Sequence, residues 1–160
     1  LTAYPDNVPA RLNLAGLFGQ VGELDRAAAE FARTLGYSHT DGVAQGHLGR
    51  IALQQGRLAD AVRYYSDGLA VAPRDGSLLV GRAVARRALG ENDLAENDYR
   101  AAIAANALDA DAWYNLGNLL RQLGRSREAA RAFEEVVSIG SERELSEAAA
   151  AQLAQLIRSP

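Results

Sequence analysis

Apolar residues recur along this chain at the 3.6-residue period of an α-helix, in short blocks separated by glycine. The segment 110–123 shows this pattern most clearly. Its apolar face is formed by Trp113, Leu116, Gly117 and Leu120. Gly124 follows directly, and a glycine just past a helix can adopt the left-handed conformation that lets backbone N–H groups reach the last carbonyls. The pattern therefore predicts a helix that ends at this glycine.

A second amphipathic block follows at about 127–138. Its apolar face is formed by Ala129, Phe133, Val136 and Val137. A small alanine lets two helix backbones approach closely, and an aromatic ring fills the space beside it. We therefore expect the two helices to pack as an antiparallel pair that is joined by a tight turn.

The same glycine, alanine and aromatic pattern occurs four times at a spacing of 34 residues. The glycines are Gly22, Gly56, Gly90 and Gly124, the alanines are Ala27, Ala61, Ala95 and Ala129, and the aromatics are Phe31, Tyr65, Tyr99 and Phe133. A repeat of this length without insertions is typical of a stacked helical solenoid. The predicted units are 8–41, 42–75, 76–109 and 110–143.

Residues between the units indicate where the helices begin. The position before each first helix holds a side chain suited to an N-cap or to the turn ahead of it, namely Asn7, Asp41, Asp75 or Asp109. Residues 1–7 read as the tail of an earlier repeat, so we expect the chain to be part of a longer protein. We expect the repeats to form one continuous domain over 1–160.

A terminal capping helix is predicted over 144–160. Ser141 and Glu144 have the spacing of a capping box, in which each side chain accepts a backbone N–H at the start of a helix. The apolar stripe of this helix is formed by Leu145, Ala149, Leu153 and Leu156. No fifth repeat pattern follows, so we expect this stripe to shield the last repeat from water.

The segment 110–118, Ala-Asp-Ala-Trp-Tyr-Asn-Leu-Gly-Asn, resembles the tetratricopeptide repeat signature, and the later glycine, alanine and aromatic positions are also in place. The resemblance covers nearly the whole chain. It implies an all-α fold, a right-handed superhelical solenoid of antiparallel helix pairs whose first helices line a concave face. The pentatricopeptide family, which reads RNA, has nearly the same period, but its slightly longer spacing and its basic character are both absent here.

The third unit departs from the others where its two helices are expected to pack. Arg82 stands at the repeat position where the other units hold Leu14, Leu48 and Leu116. Arg86 stands at the position where they hold Phe18, Ala52 and Leu120. An unpaired buried charge is costly, so Asp98 on the second helix is the predicted partner of Arg82. The alternative is that Arg82 extends to solvent along its aliphatic stem. Glu30 occupies the Asp98 column in the first unit, and we expect it to be solvated.

Composition and charge exclude several classes of function. The formal net charge of −3 argues against a nucleic-acid binder, because phosphate neutralisation needs a basic face. The chain has no cysteine, so disulfides, thiolate nucleophiles and thiolate metal sites are excluded. No apolar run is long enough for a membrane span, and no signal-peptide pattern occurs. Cytoplasm and periplasm both stay open as compartments.

No catalytic constellation is found in the sequence. His39 and His47 are the two histidines, and no further ligand stands at metal-binding spacing from either. Gly42, Gly46 and Gly49 do not form a phosphate loop, since no strand precedes them and no Gly-Lys-Ser/Thr follows. We therefore expect no enzyme activity, no metal and no cofactor.

Charge is distributed unevenly between the two sets of helices. The first helices carry a single acid, Asp111, against Arg11, Arg50, Arg82, Arg86, Arg87 and Arg121, whereas the second helices are net acidic. The resemblance therefore implies a basic groove. The residues expected to face inward are Asn13, Gln20, His47, Arg50, Gln54, Arg87, Tyr114, Asn115, Asn118, Arg121 and Gln122. The alternative for Arg87 and Arg121 is a favourable position in the last turn of their helices, where positive charge complements the helix dipole.

Three hypotheses of function follow. The leading one is a protein-interaction scaffold that binds an acidic or C-terminal segment of a partner in the groove, since amides bond a peptide backbone and arginine binds carboxylates. The second is homo-oligomeric self-assembly through open repeat ends. The third is the interaction arm of a larger enzyme whose catalytic domain lies outside this chain.

Two details qualify the expected ligand. In the family's chaperone-binding members, basic and Asn residues on successive first helices form a clamp. The resemblance does not imply this clamp here, because the corresponding positions hold Leu12, Gly16, Gly46 and Gly81. His47 lies beside Arg50 on the expected groove. Once protonated, below about pH 6.5, it is expected to strengthen the positive field and tighten an acidic ligand.

Overall fold

The computed structural model describes residues 7–37, 41–140 and 143–158, and these residues form nine α-helices and no strand. The first eight helices pack as four consecutive pairs. The helices are α1 (Val8–Gln20), α2 (Leu24–Ala32), α3 (Asp41–Gln54), α4 (Leu58–Val71), α5 (Gly76–Ala88), α6 (Asn92–Ala105), α7 (Ala110–Gln122), α8 (Ser126–Ile139) and α9 (Arg143–Arg158). The predicted all-α helical repeat fold is confirmed.

The turn inside each helix pair closes in the same way. Its glycine has a positive φ, which is 79°, 71°, 80° and 75° at Gly22, Gly56, Gly90 and Gly124. In the last of these turns the Arg125 N–H donates to the Leu120 carbonyl at 2.9 Å, and the Gly124 N–H donates to the Arg121 carbonyl at 3.1 Å. These bonds form a Schellman motif, for which glycine is suited because it adopts positive φ without a steric cost.

Side-chain caps begin three of the four first helices. Asn7, Asp75 and Asp109 each accept the backbone N–H three residues ahead, at 3.0, 3.1 and 2.9 Å. Asp41 differs, because it is already the first residue of α3 and its Oδ1 accepts the Gly36 N–H at 3.0 Å. Its carboxylate therefore closes the turn ahead of α3, and this helix begins one residue before the predicted limit.

The chain divides into two compact units, Leu1–Pro73 and Arg74–Pro160, and each is described by itself. The expectation of one continuous domain stays a prediction. In the first unit α2 contacts α3, which joins the two helix pairs. The core of this unit includes Ala15, Ala27, Phe31, Leu48 and Ile51.

The second unit contains two helix pairs and α9. Its core is formed around Tyr99, Leu116, Leu119, Leu120, Phe133 and Val136. Ala149 of α9 is fully buried, and Leu145, Leu153 and Leu156 pack against the same core, as the predicted stripe requires. Ser141 of the predicted capping box lies outside the described residues. The inward orientation predicted for Val137 is wrong, because Val136 takes the core position and Val137 is exposed.

Candidate functional site

In the first unit, an open cleft of about 320 Å³ is lined by residues of α1, α2 and α3. Four of the predicted groove residues line this cleft, namely Gln20, His47, Arg50 and Gln54. The wall from α1 includes Ala15, Gly16 and Gly19. These residues have a methyl group or no side chain, so they leave space in front of the polar residues of α3.

The His47 ring is contacted by Phe31 on its face and by Arg50 at its edge. The ring stacks on Phe31 with a centroid distance of 4.4 Å and an angle of 14°, and Arg50 Nη2 lies 2.9 Å from Nδ1. Because a guanidinium can only donate, Nδ1 accepts and the imidazole is neutral. Burial, and then the charge of Arg50, lower the pKa of His47. The expected gain of positive charge below about pH 6.5 is therefore corrected, since protonation is shifted to lower pH.

In the second unit, a wider open cleft of about 590 Å³ lies between α5 and α7. Its lining residues are Val84, Arg87, Ala88, Asn118, Arg121 and Gln122. Arg121 is exposed and Arg87 is half-buried. Within the described part of the chain, neither of these two guanidinium groups forms an ion pair. Both charges are therefore available to a ligand, together with two side-chain amides.

Three predicted groove residues do not line either cleft. Asn13 is an exposed residue of α1. The Tyr114 ring packs edge-on against Phe133 at a centroid distance of 5.8 Å, so it is part of the core of the second unit. Asn115 Nδ2 donates to the Asp111 carbonyl of its own helix at 2.9 Å.

Asp98 is bound by two arginines rather than one. Arg82 donates from Nε and Nη2 to the two Asp98 carboxylate oxygens, at 2.9 and 2.7 Å, which is the predicted pair in a forked geometry. Arg86 Nη1 also donates to Asp98 Oδ2, at 2.6 Å. Asp98 is only 4% exposed. Two of the first-helix arginines are thus engaged inside the second unit.

Glu30 is bound in a similar way in the first unit. Arg11 Nη1 donates to Glu30 Oε2 at 2.9 Å, and Arg33 Nη1 donates to Oε1 at 2.5 Å. The expectation that Glu30 is solvated is therefore wrong, because its side chain is 12% exposed and paired. With Arg11, Arg82 and Arg86 bound to carboxylates, the arginines that line the clefts are Arg50, Arg87 and Arg121.

The outer surface of the second unit pairs much of its own charge. Arg125 donates to Glu96 at 2.6 Å and to Glu128 at 2.7 Å, and Arg100 donates to Glu96 at 2.8 Å. Burial acts to raise the pKa of Glu96, but the hydrogen bonds from Arg125 and Arg100 outweigh it and lower the pKa. This network differs from the α5–α7 cleft, where Arg87 and Arg121 form no ion pair with any of the described residues.

A smaller hollow of about 260 Å³ lies over α7 and α8. Its floor is apolar, and its rim carries charges of both signs. The lining residues are Trp113, Leu116, Leu120 and Ala132 on the floor, with Arg100, Glu128, Arg131 and Glu135 around it. The balanced rim gives no preference for an acidic ligand.

Metal and membrane functions receive no support from the described ranges. In these residues no group of three or more His, Asp or Glu side chains is placed to hold a metal ion. His39 lies outside the ranges. None of the described helices is long and apolar enough to cross a membrane.

The sequence profile of the tetratricopeptide repeat family matches residues 12–77, 47–96 and 80–144. The chain therefore belongs to this family. It is 31% identical over 85 residues to the human Tetratricopeptide repeat protein 7B. That match covers 53% of this chain and 10% of the human protein, so the chain spans about a tenth of this relative's length.

Solved structures with the same fold include MamA and the first TPR domain of Spaghetti (RPAP3) bound to the HSP90 peptide SRMEEVD. MamA superposes with a TM-score of 0.75 at 18% identity, over 94% of this chain and 86% of MamA. The Spaghetti domain superposes with a TM-score of 0.69 at 22% identity, over 75% of this chain and 93% of the domain. At these identities the similarity establishes the fold alone.

Proposed function

We propose that this chain is a protein-interaction scaffold that binds an extended, acidic segment of a partner protein in its clefts. The observation that carries the proposal is the α5–α7 cleft, where Arg87 and Arg121 lie with the amides of Asn118 and Gln122. The forked guanidinium binds carboxylates, and amides both donate to and accept from a peptide backbone of any sequence.

The α1–α3 cleft has the same combination of groups. Arg50 provides a cation, and Gln20 and Gln54 provide amides. The glycines of α1 leave room for a peptide backbone beside them. An extended segment suits both clefts, because each offers polar contacts in an open channel rather than an enclosed pocket.

The peptide in the Spaghetti structure contains three acidic residues in seven, which supports an acidic ligand for this fold. The ligand sequence of the present chain is expected to differ, because Leu12, Gly16, Gly46 and Gly81 stand at the places of the chaperone-binding clamp. The same clefts also suit the interaction arm of a larger enzyme, since binding in them needs no catalytic group.

Fluorescence anisotropy with a set of labelled acidic heptapeptides tests the proposal. Each peptide is paired with a version in which Gln and Asn replace Glu and Asp. We expect the acidic versions to bind more tightly and to weaken with added salt, because exposed charges are screened over about 8 to 10 Å. Combining Arg87→Glu with Arg121→Glu is expected to weaken the best peptide by roughly tenfold or more.

The matched control combines Arg127→Glu with Arg131→Glu, which makes the same change of net charge at two exposed residues of α8. It is expected to bind nearly as the parent does, and circular dichroism checks that both variants keep their helices. Parental affinity and salt response in the Arg87 and Arg121 variant would place the binding surface elsewhere. An equal loss in the α8 variant would show a nonspecific charge effect.

A further inference from the structure

We propose that the hollow over α7 and α8 binds one aromatic side chain, a tyrosine or a phenylalanine, from a segment of a partner protein. This site goes beyond the acidic-segment site proposed above, because the two openings use different residues of α7. Leu116 and Leu120 line the hollow, whereas Asn118 and Gln122 line the α5–α7 cleft. An aromatic anchor would therefore add a second contact point to the scaffold.

The hollow lies inside the repeat array. Its lining residues belong to α6, α7 and α8. Within the second unit α6 contacts α7, and α8 contacts α9. The opening is therefore formed by helices that have neighbours on both sides.

The second repeat shows the same arrangement with a ring in place. Two repeats apart, the charged residues of α4 and α8 correspond, namely Asp60, Arg63 and Asp67 on α4 and Glu128, Arg131 and Glu135 on α8. Between these charges, Tyr64 of α4 corresponds to Ala132 of α8. The two helices therefore share their charges and differ in the ring.

The Tyr64 ring is contacted from two sides. It packs against the core that contains Leu48, and Arg63 Cζ lies 4.3 Å from its centroid. Leu48 corresponds to Leu116 on the floor of the hollow. Arg131, which corresponds to Arg63, is exposed and forms no ion pair or hydrogen bond with any of the described residues. Leu116 and Arg131 thus stand where a bound ring would find its two contacts.

The size and the floor of the hollow suit a single ring. Its volume is about 260 Å³, whereas small-molecule pockets typically have about 300 to 1,000 Å³. Trp113 is half-buried, and its Nε1 donates to the Ala107 carbonyl at 3.0 Å. The polar atom of the indole is therefore satisfied, and the rest of the indole offers an apolar contact to a second ring.

The rim disfavours a charged side chain in the hollow. A cation would approach Arg100 and Arg131, and an anion would approach Glu128 and Glu135. Either charge would also lose hydration against the apolar floor. An aliphatic side chain avoids this cost but does not gain the stacking contact with a guanidinium. A neutral ring suits both the floor and the rim.

An NMR titration with blocked tripeptides tests the site. The central residue is tyrosine, phenylalanine, leucine, lysine or glutamate, and it stands between two alanines. We expect the tyrosine and phenylalanine peptides to shift the backbone amide signals of Leu116, Leu120 and Ala132. The dissociation constant is expected in the millimolar range, because one side chain offsets little of the cost of association. The leucine peptide is expected to bind about threefold more weakly, and the two charged peptides more weakly still.

Two variants change the site. Arg131→Ala removes the stacking contact and is expected to weaken the aromatic peptides about threefold without affecting the leucine peptide. Ala132→Tyr places a ring of the chain itself in the hollow and is expected to abolish binding without lowering the melting temperature. The controls are Arg127→Ala and Ser138→Tyr, which make the same changes at exposed positions of α8 outside the hollow. Both are expected to bind like the parent.

The two proposed sites can be tested separately. Arg87→Glu combined with Arg121→Glu is expected to leave the tyrosine tripeptide unaffected. Arg131→Ala is expected to leave acidic peptides without an aromatic residue unaffected.

Several results would overturn the proposal. These are equal binding of the leucine and aromatic peptides, tighter binding of the lysine peptide, parental affinity in Arg131→Ala, or binding by a folded Ala132→Tyr. If Ala132→Tyr does not fold, Arg131→Ala decides. A dimer of the parent that Ala132→Tyr abolishes would assign the hollow to a second copy of the chain instead.

Discussion

The seam between α5 and α6 is polar, whereas the seam between α7 and α8 is apolar. The same three columns hold Arg82, Arg86 and Asp98 in the first seam and Leu116, Leu120 and Ala132 in the second. Asp98 and Ala132 are both buried. The repeat backbone therefore accepts either an ion-paired triad or aliphatic contacts at the same positions.

The two seams differ in what each leaves unsatisfied. In the polar seam, Arg86 Nε is buried and has no hydrogen-bond partner among the described residues. In the apolar seam, no buried side-chain N or O atom of α7 or α8 lacks a partner among the described residues. The hollow beside Trp113 is lined by the small side chain of Ala132. A buried ion pair gains little net stability because its charges lose their hydration. The polar seam is thus expected to fix one arrangement of side chains without adding much stability.

Removing Asp98 is expected to have the largest effect on this comparison. Asp98→Ala leaves Arg82 and Arg86 at the seam without their carboxylate, which should lower the free energy of unfolding by about 3 to 5 kcal/mol. Combining it with Arg82→Leu and Arg86→Leu copies the α7–α8 seam and is expected to restore most of the loss. Urea unfolding followed by circular dichroism measures both variants.

The control for this series is the exposed pair on α9. Arg143 and Glu147 are hydrogen bonded at 2.8 Å, and both side chains are largely exposed. Glu147→Ala is therefore expected to change stability by less than about 0.5 kcal/mol. If the triple variant is as unstable as Asp98→Ala, the α5–α6 pair needs the polar groups of Arg82, Arg86 and Asp98 for its stability. The two seams are then not interchangeable.

A smaller effect is expected at the closest approach in the apolar seam. The same repeat position holds Ala83 on α5 and Gly117 on α7. A Cβ added at Gly117 would lie 2.8 Å from Phe133 Cε1. Phe133 is fully buried, so its ring has little room to move. Gly117→Ala should lower stability by about 1 to 3 kcal/mol, although alanine is the better helix former.

Gly16→Ala on α1 is the matched control, because the Cβ that it adds meets no described atom within 4 Å beyond its chain neighbours and its own helix backbone. We expect this variant to gain up to about 1 kcal/mol from helix propensity alone. Urea unfolding of the two variants measures the difference. Equal stability of the two would mean that the α7–α8 seam repacks easily around a methyl group.

The smallest effect is expected from pH, at the contact of His47 with Phe31 in the first unit. The lowered pKa means that the folded chain resists protonation, while the unfolded chain binds a proton near pH 6.5. This part of the stability is present above that pH and is lost as the pH falls below it. The slope cannot exceed about 1.4 kcal/mol per pH unit for one proton.

His47→Phe keeps a ring against Phe31 and removes the titrating group. Urea unfolding of parent and variant at about pH 7.5, 6.5 and 5.5 separates this residue from all other titrating groups. We expect the parent to lose more stability than the variant as the pH falls. Identical slopes would show that His47 titrates equally in the folded and unfolded chains.

The sequence predicted those features that depend on one residue in one fixed column. The glycine that recurs in each repeat at the position of Gly22 had to end the first helix of that repeat, because the turn requires a positive φ. Arg82 and Asp98 could be paired because an arginine replaced the leucine of the other units and an acid of opposite charge stood at the facing position of the same helix pair. Arg87 and Arg121 lie one repeat apart, so a shared face followed from the period alone.

The sequence did not predict contacts that depend on the reach of long side chains or on a neighbouring pair. Arg11 binds Glu30 from a column that holds Trp113 in the fourth repeat, and Arg86 reaches Asp98 from one turn beyond Arg82. His47 stacks on Phe31 of the preceding helix pair. A flexible arginine has several carboxylates within reach, and the repeat spacing does not select among them.

Trp113 makes the fourth repeat visible by itself. It is the sole tryptophan of the chain, and its indole Nε1 donates to the Ala107 carbonyl at 3.0 Å. Its fluorescence therefore reports on the surroundings of α7, whereas circular dichroism averages over all helices. Coincident melting curves from the two signals would show that the repeats unfold together, and separated curves would show that the array opens in stages. The natural sequence thus contains an optical probe of cooperativity between repeats.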